Sequence, residues 1–393
     1  MGFFDDEVAL ERAIPGLFGE ELRIGSVALP GAVEVLRGRR AVAAGHRLLV
    51  ELSHRTGQAG AMDALDLWLN APSARTKTPY LVLVGSRDAM NSGIIKPNDL
   101  DGAVLIYEYR IAGQGTGVLA TDDMNGDRTV IAPAELRTRV AEIACRKLLE
   151  NGARLALVSL AGDSEAPQRP LADSRQSGPA FRLAMRKRMV PRYLPLGPTL
   201  ESTLATLGKH TRRNLRYYRR RVEADLGAKF IPRVEMSRDE FLEMNQASIN
   251  PLPAAIAAWH YEATRCLVNP VFCGVRTADG RWLSLIGGRR RPGAVDIDWQ
   301  MNLAGLPRYS LSTATRAFLL EDEIARGTAK LFFEGGTPHP MRHSFASTGV
   351  VDVIMQRRSA SVWLLRALSR WIFPRRNFLA QTLRDKSLRW SES

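Results

Sequence analysis

The chain has 393 residues, of which 45% are hydrophobic and 24% are charged. This composition is typical of a folded globular protein with about two domains. No run approaches the roughly 20 uninterrupted apolar residues that cross a bilayer, and the amino terminus lacks the pattern of a signal peptide. The three dispersed cysteines have no paired metal-ligand spacing, so we expect a cytoplasmic protein without a structural metal.

The charge balance is strongly positive. Lysine and arginine total 55 and aspartate and glutamate total 41, a formal net charge of +14. Such an excess attracts anionic partners, including nucleotide cofactors, acidic carrier proteins, RNA and anionic lipid. It does not choose among them, and a basic composition also occurs without a functional reason.

The first half predicts an α/β unit. Apolar segments at 79–85, 103–111 and 117–121 read as strands. A turn-rich acidic loop at 122–127 precedes a helix over 134–151, and Gly152 then turns the chain into another strand. Residues 162–177 are polar and contain proline, so we place a linker at 166–188.

The second half repeats this order. A strand at 189–196 and a helix over 200–226 come first, and Ser237 and Glu240 have capping-box spacing. Strands follow at 282–288 and 295–303, a helix begins near Leu311, and Gly327 turns the chain into a strand at 330–334. Strand, strand, helix, strand, found twice, predicts a duplicated α/β unit.

The tail from 351 to 393 differs from both halves. Arginines alternate with tryptophan, isoleucine and phenylalanine, as in Trp363 to Phe373. We expect a basic amphipathic helix there, which either lies on an anionic membrane surface or docks on the domain with its arginines outward. The first reading predicts peripheral contact with the inner membrane.

Two segments of the second half resemble the GNAT-superfamily acyltransferases of the CelD-like and FemAB-like branch. One is the arginine-crowded helix 208–224, and the other is the closing strand and loop 331–345. Glu334 stands where that family has aspartate, Met341 where it has tyrosine, and Arg342 where it has lysine. The resemblance covers about 190–346, and the first half matches only in strand order.

The resemblance implies two tandem GNAT-like domains, each a mixed, mostly antiparallel sheet flanked by helices. We expect a degenerate domain over 1–165, the linker over 166–188, a catalytic domain over 189–350 and the basic helical tail over 351–393. The three aspartates of the loop at 122–127 would repel a pyrophosphate, which favours the second half as the active copy.

The resemblance also implies a donor site. Parallel strands 295–303 and 330–334 would splay apart, and the pantetheine arm of an acyl thioester would insert between them. Its pyrophosphate would rest on the amino end of the following helix. The implied contacts are Asn302, Leu303, Arg308, Tyr309, Ser310 and Ser312. The donor that the resemblance implies is acyl-CoA or an acyl group on a carrier protein, although the family's usual glycine-rich phosphate loop is absent.

Three residues of the closing segment are the candidate catalytic groups. Glu334 is the expected general base, because a partly buried carboxylate can have its pKa raised toward neutrality. Arg342 keeps the family's positive charge and would act electrostatically on the oxyanion. His343 flanks the same site. The alternative is that Glu334 and Arg342 form an ordinary ion pair.

Other residues are expected to bind the acceptor or an anionic substrate. Asp296 and Asp298 alternate onto one strand face with Trp299 opposite, and either carboxylate could bind a cationic amine. Arg212, Arg213 and Arg216 lie on a helix with charge all round and few acids four residues away. Each group could instead be ordinary solvent-facing surface.

The sequence therefore predicts an N-acyltransferase that moves an acyl group from CoA or a carrier protein to an amine on a small molecule, saccharide or peptide. Two alternatives stay open. One is a FemAB-like transferase that uses aminoacyl-tRNA, and the other is an inactive GNAT-fold binding protein.

Overall fold

The computed structural model describes residues 32–58, 65, 69, 77–85, 95–111, 113–121, 129–161, 181–267, 269–333, 341, 344–357 and 391–392. The chain divides into two compact units. Unit 1 comprises Met1–Arg188 and Gly349–Ser393, and unit 2 comprises Met189–Thr348.

Unit 1 has one mixed sheet and three described helices. Its elements are β1 Ala32–Arg37, α1 Arg39–Ala44, α2 His46–Arg55, β2 Lys77–Gly85, β3 Leu100–Ile111, β4 Gln114–Ala120, β5 Val130–Ile131, α3 Arg137–Glu150, β6 Leu155–Ala161, the first part of β7 Phe181–Pro195, β13 Ala346–Arg357 and β14 Ser391–Glu392. The main strand order is β1-β2-β3-β4-β6-β13. Pairs along this order are antiparallel except β4 with β6, which are parallel.

Helix α3 closes one core of unit 1. Its buried stripe of Val140, Ala144 and Leu148 packs against strand residues that include Val104 and Val158. The helical spacing of that stripe explains why the segment is a helix with one buried face. A second core packs α1 and α2 against β2 and β3.

Unit 2 repeats the arrangement with five described helices. Its elements are the rest of β7, α4 Leu200–Ala205, α5 Lys209–Leu226, β8 Lys229–Ile231, α6 Arg238–Gln246, α7 Ala254–Arg265, β9 Pro270–Arg276, β10 Trp282–Arg291, β11 Ala294–Asn302, α8 Leu311–Ala325 and β12 Lys330–Phe333. The strand order is β7-β12-β11-β10-β9-β8. The β11–β12 pair is parallel and its neighbours are antiparallel.

The predicted fold class is confirmed, as is the repeated order of strand, strand, helix, strand. Both helices of the repeat are followed by a glycine with positive φ, 103° at Gly152 and 78° at Gly327. A side chain there would be strained, so glycine is required. The capping box is also present, since Ser237 Oγ accepts from Glu240 N and Glu240 Oε2 accepts from Ser237 N.

Two expectations about the elements are wrong. The helix over 200–226 is interrupted, because α4 ends at Ala205 and α5 starts after Gly208, whose freedom favours a break. The helical tail does not begin at 351. Val351–Arg357 belong to β13, whose buried β-branched residues, such as Val351 and Val353, favour a strand in the core of unit 1.

The predicted linker is also shorter than expected, because β7 already begins at Phe181. The remaining tail residues, apart from the β14 pair, lie outside the described residues. Among the helices that the structure describes, none has the length and apolar character needed to cross a membrane.

Candidate functional site

Strands β11 and β12 of unit 2 are neighbours over only part of their length. Ala294–Ile297 pair in parallel with Lys330–Phe333, which confirms the predicted neighbours. Strand β11 then continues to Asn302 beside β10, while the described part of β12 ends. We call the position of the last described pair, Ile297 with Phe333, the fork.

A β-bulge marks the fork. Gly287 of β10 pairs with Trp299, and Gly288 pairs with Ile297, so Asp298 is the extra residue. A Cβ at Gly287 would lie 2.1 Å from the Trp299 ring, so only glycine fits there. Bulges bend a strand and end regular pairing. The bulge therefore bends β11 immediately beyond Ile297.

Beyond the bulge, β11 presents backbone groups on the side away from β10. Leu303 N donates to Leu283 O at 2.9 Å on the β10 side, and Asn302 O accepts from Ile249 N at 2.9 Å on the other side. Because neighbouring residues in a strand direct their backbone groups to opposite sides, Gln300 faces the same side as Asn302. We call these Gln300 and Asn302 backbone groups the β11 edge. Of the predicted donor contacts, Asn302 O and Leu303 N are thus bonded within the chain.

The β11 edge leads to the amino end of α8. Ser310, with φ 39° and ψ 59°, is the one described non-glycine residue with positive φ, and its carbonyl accepts from Thr313 N at 2.8 Å. The N–H groups of Leu311 and Ser312 precede Thr313 N, the first N–H that donates within the helix, and carry the positive end of the helix dipole. Gln300 Nε2 donates to Ser312 O at 3.3 Å, which ties the strand to the helix.

The turn before α8 has one exposed and one buried predicted contact. Arg308 is exposed, and its carbonyl accepts from Arg221 at 3.3 Å. Tyr309 is 9% exposed, and the Arg221 guanidinium lies 5.3 Å from its ring centroid. Tyr309 therefore packs in the turn, and Arg308 is the side chain of this pair that solvent reaches.

The arginines of α5 are more neutralised than the sequence suggested. Arg216 pairs with Glu201, and Arg219 bonds Glu321 at 2.6 Å as well as the i+4 acid Glu223 at 3.2 Å. The expectation of few acids four residues away was wrong for this part of the helix, since Arg221 likewise pairs with Asp225. Arg212 and Arg213, near the amino end, have no ion pair with any residue the structure describes.

Asp296 lies in a buried ion cluster. It is 1% exposed and accepts from Arg289 Nε at 3.1 Å and from Arg291 Nε and Nη2 at 2.8 and 2.7 Å. Burial lowers the pKa of Arg289, and the Asp296 charge opposes that shift. A carboxylate in this position holds two strands together, and its oxygens are occupied by guanidinium groups.

Asp298 and Trp299 do not follow the predicted alternation, because the bulge interrupts it. Asp298 is exposed. The Trp299 ring packs 5.3 Å from the Phe241 ring, and its Nε1 donates to Thr264 Oγ1 at 3.0 Å. Trp299 therefore anchors α6 and α7 on the sheet, and Asp298 is the exposed residue of this group.

The three candidate catalytic residues, Glu334, Arg342 and His343, lie outside the described residues. Their roles stay predictions. The chain is described up to Phe333, at Met341, which is buried in a core of unit 2, and again from Ser344, whose Oγ donates to Thr206 O at 3.1 Å. Within the residues that the structure describes, no group of three or more His, Cys, Asp or Glu side chains could hold a metal ion.

Three further polar residues lie near the site, and the sequence analysis did not choose them as candidates. Ser248 bridges to Leu303, and its buried Oγ has no hydrogen-bond partner. Burial beside Trp299 lowers the pKa of His260 to about 4. Arg316 of α8 has a buried Nε without a hydrogen-bond partner, and burial lowers its pKa to about 10. The one available signal for Arg316 was a lone basic residue between apolar turns of a predicted helix.

Strands β4 and β6 occupy the equivalent position in unit 1. These parallel strands pair to Ala120, and Thr121 N continues the ladder by donating to Leu157 O at 3.0 Å. Next to them, the fully buried Asp352 accepts from Ser159 Oγ at 2.8 Å and Arg186 Nη2 at 2.7 Å. The acidic loop at 122–127 lies outside the described residues.

Neither a family model nor a curated protein matches this sequence. Similar solved structures include FemX (TM-score 0.46, 8% identity, covering 73% of this chain and 90% of that one). A tandem GNAT protein from the clavulanic acid biosynthesis pathway has a TM-score of 0.41 and 11% identity, covering 83% and 99%. L-PGS from Bacillus licheniformis has a TM-score of 0.41 and 13% identity, covering 67% and 84%. The activity of the site is therefore inferred from the residues of this chain and not from these structures.

Proposed function

We propose that unit 2 is an N-acyltransferase, which transfers an acyl group from a thioester donor to an amine. The observation that carries the proposal is the β11 edge, a stretch of backbone that faces away from β10 and leads to a helix amino end. An amide-containing pantetheine arm suits such an edge, because it can bond a strand as an added strand does.

The donor would lie along the edge with its phosphates at α8. The Gln300 backbone faces the arm, and the N–H groups of Leu311 and Ser312 meet the phosphates. Exposed Arg308 adds a positive charge beside them. The buried hydroxyl of Ser248 can donate to the arm or to the departing sulfur.

In the reaction, the neutral amine nitrogen attacks the thioester carbonyl carbon. A C–N bond forms, the C–S bond breaks, and the sulfur leaves as a thiolate that takes up a proton. The nitrogen loses its proton to a base, for which Glu334 is the candidate. Arg342 and His343 are candidates for stabilising the oxyanion, and Asp298 is the candidate for attracting the amine.

The donor is CoA or a carrier protein, and the acceptor is an amine on a small molecule, saccharide or peptide. Arg212 and Arg213 provide positive charge for an anionic donor at the start of α5, close in sequence to Thr206, which contacts Ser344. The same charge could attract tRNA. The proposal also includes the predicted contact of the basic tail with the surface of the inner membrane.

Thiol release tests the proposal. The full chain is incubated with acyl-CoA and acyl-carrier-protein thioesters and a panel of amines, and free thiol and product are measured. We expect release that depends on donor, amine and enzyme. Aminoacyl-tRNA is tested in parallel, and transfer from tRNA alone would favour the FemAB-like alternative. Binding of a donor without transfer to any amine would favour an inactive binding protein.

Two variants locate the site. Arg308→Ala should weaken CoA binding about two- to fivefold, the usual contribution of one exposed charge, and this loss should shrink as salt is added. Arg326→Ala is the control, because Arg326 lies at the other end of α8 in a surface pair with Asp322. Glu334→Gln should lower turnover at neutral pH and leave donor binding intact. Equal binding by both arginine variants would count against the proposed phosphate position.

A further inference from the structure

Arg316 differs from Arg289 and Arg290 of unit 2. Arg289 is paired with Asp296 and Arg290 is paired with Glu323, both acids being buried. Arg316 has its guanidinium 5.6 Å from the Phe333 ring centroid, and its buried Nε has no hydrogen-bond partner. No acid in the described part of the chain pairs with it.

The position of Arg316 is at the fork. Phe333, which its guanidinium contacts, is the β12 residue paired with Ile297, the last paired residue before the bulge. Arg316 lies six positions after Ser310 along α8, which places it about 9 Å along the helix axis from the phosphate end of the proposed site. Strand β11, followed backwards from Asn302 to Ile297, covers roughly 16 Å away from the same end of the site. Arg316 therefore lies toward the thioester end of the proposed arm.

Burying the Nε–H of Arg316 without an acceptor is unfavourable, because water is removed and no hydrogen bond replaces it. Burial is the cause of the lowered pKa of Arg316, and a value of about 10 still leaves the group charged at neutral pH. The planar fork of an arginine matches a carboxylate through two parallel hydrogen bonds. The missing partner of Arg316 is thus supplied best by an anion that enters with the substrate.

We propose that Arg316 binds a carboxylate carried by a substrate, at the fork between β11 and β12. The carboxylate belongs either to the acyl group of the donor, which would then be a dicarboxylic acyl thioester, or to an amino-acid acceptor. The identification of the carrier rests on the proposed acyl transfer. The binding of a carboxylate at Arg316 is independent of the proposed acyl transfer.

The first test needs no turnover. The melting temperature of the full chain is measured with increasing sodium succinate, and with uncharged succinamide at equal concentration. We expect stabilisation by succinate alone, absent in Arg316→Met and weakened in Arg316→Lys, which keeps the charge without the fork. Arg326→Met, at the far end of α8, should respond like the wild type.

The same variants report on the resting protein. Without ligand, Arg316→Met should melt no lower than the wild type, because it removes a buried N–H that has no acceptor. A fall of several degrees would show that Arg316 is a structural ion-pair partner and would overturn the proposal. Equal stabilisation of wild type and Arg316→Met by succinate would overturn it as well.

A second test identifies the carrier. Binding of succinyl-CoA is compared with that of butyryl-CoA, and glycine is compared with glycinamide as the amine. A carboxylate preference of about tenfold or more is expected in one of these two pairs, and Arg316→Met should abolish it, since a bond to a charged partner is typically that strong. Absence of a preference in both pairs contradicts the proposal. Failure of CoA itself to bind would instead count against the proposed donor. The succinate experiment would still decide whether Arg316 binds a carboxylate.

Discussion

Replacing Asp296 with asparagine tests whether this carboxylate is structural. The side chain is 1% exposed and accepts three hydrogen bonds from Arg289 and Arg291. The substitution keeps the shape and one acceptor oxygen and removes the charge between two guanidinium groups. Removing one partner of a buried pair costs about 3–5 kcal/mol. Because asparagine still accepts one hydrogen bond, we expect about 3 kcal/mol.

Urea unfolding followed by tryptophan fluorescence is the assay. With a slope of about 2 kcal/mol per molar urea, the midpoint for unit 2 should fall by about 1.5 M. Asp298→Asn is the matched control, since Asp298 is two residues away and exposed, and it should lose less than about 0.5 kcal/mol. Since the pair is buried, added salt should hardly change the difference.

A loss below about 1 kcal/mol for Asp296→Asn, or one equal to that of Asp298→Asn, would refute the reasoning. The result would then return Asp296 to the residues available for binding an amine. A large loss of activity in a fully stable Asp296→Asn protein would have the same meaning.

Two further predictions concern stability. The pKa of His260 is lowered from 6.5 to about 4, so its contribution is complete above pH 6.5 and is lost as the pH falls toward 4; His260→Leu should therefore remove up to about 3 kcal/mol of acid-induced destabilisation, and equal pH profiles of the two proteins between pH 7 and 4.5 would contradict this. Ser310 has φ 39°, so Ser310→Gly should be about 1 kcal/mol more stable than Ser310→Ala in urea, because glycine alone avoids the left-handed penalty; equal midpoints would mean that the strain is absent.

Much of the fold could be predicted because it depends on local pattern. The helical stripe of α3, the glycines that end α3 and α8, and the capping box at Ser237 are all visible in the sequence. The repeated order of elements then indicated parallel neighbours in each unit. The break before α5 was missed because the helical pattern continues on both sides of Gly208.

The site was harder to predict, since it depends on pairing between distant residues. The bulge at Asp298 shifts the faces of β11, and neither this shift nor the partners of Asp296 follow from alternation along one strand. The β13 strand was mistaken for tail because its neighbour β6 is almost two hundred residues earlier in the chain. The sequence does not distinguish Arg316 from the many other arginines. The structure does, because its buried Nε has no hydrogen-bond partner.

The central claim is that the pantetheine arm of a thioester donor binds along the β11 edge and that the phosphates of the donor lie at the amino end of α8. Amide hydrogen exchange of the full chain, measured with and without CoA, tests it most directly. The account predicts slower exchange in the peptides that cover Gln300 and Leu311–Thr313, with little change in the equivalent region of β4 in unit 1. Unchanged exchange at Gln300 and Leu311 under saturating CoA, or protection confined to unit 1, would contradict it.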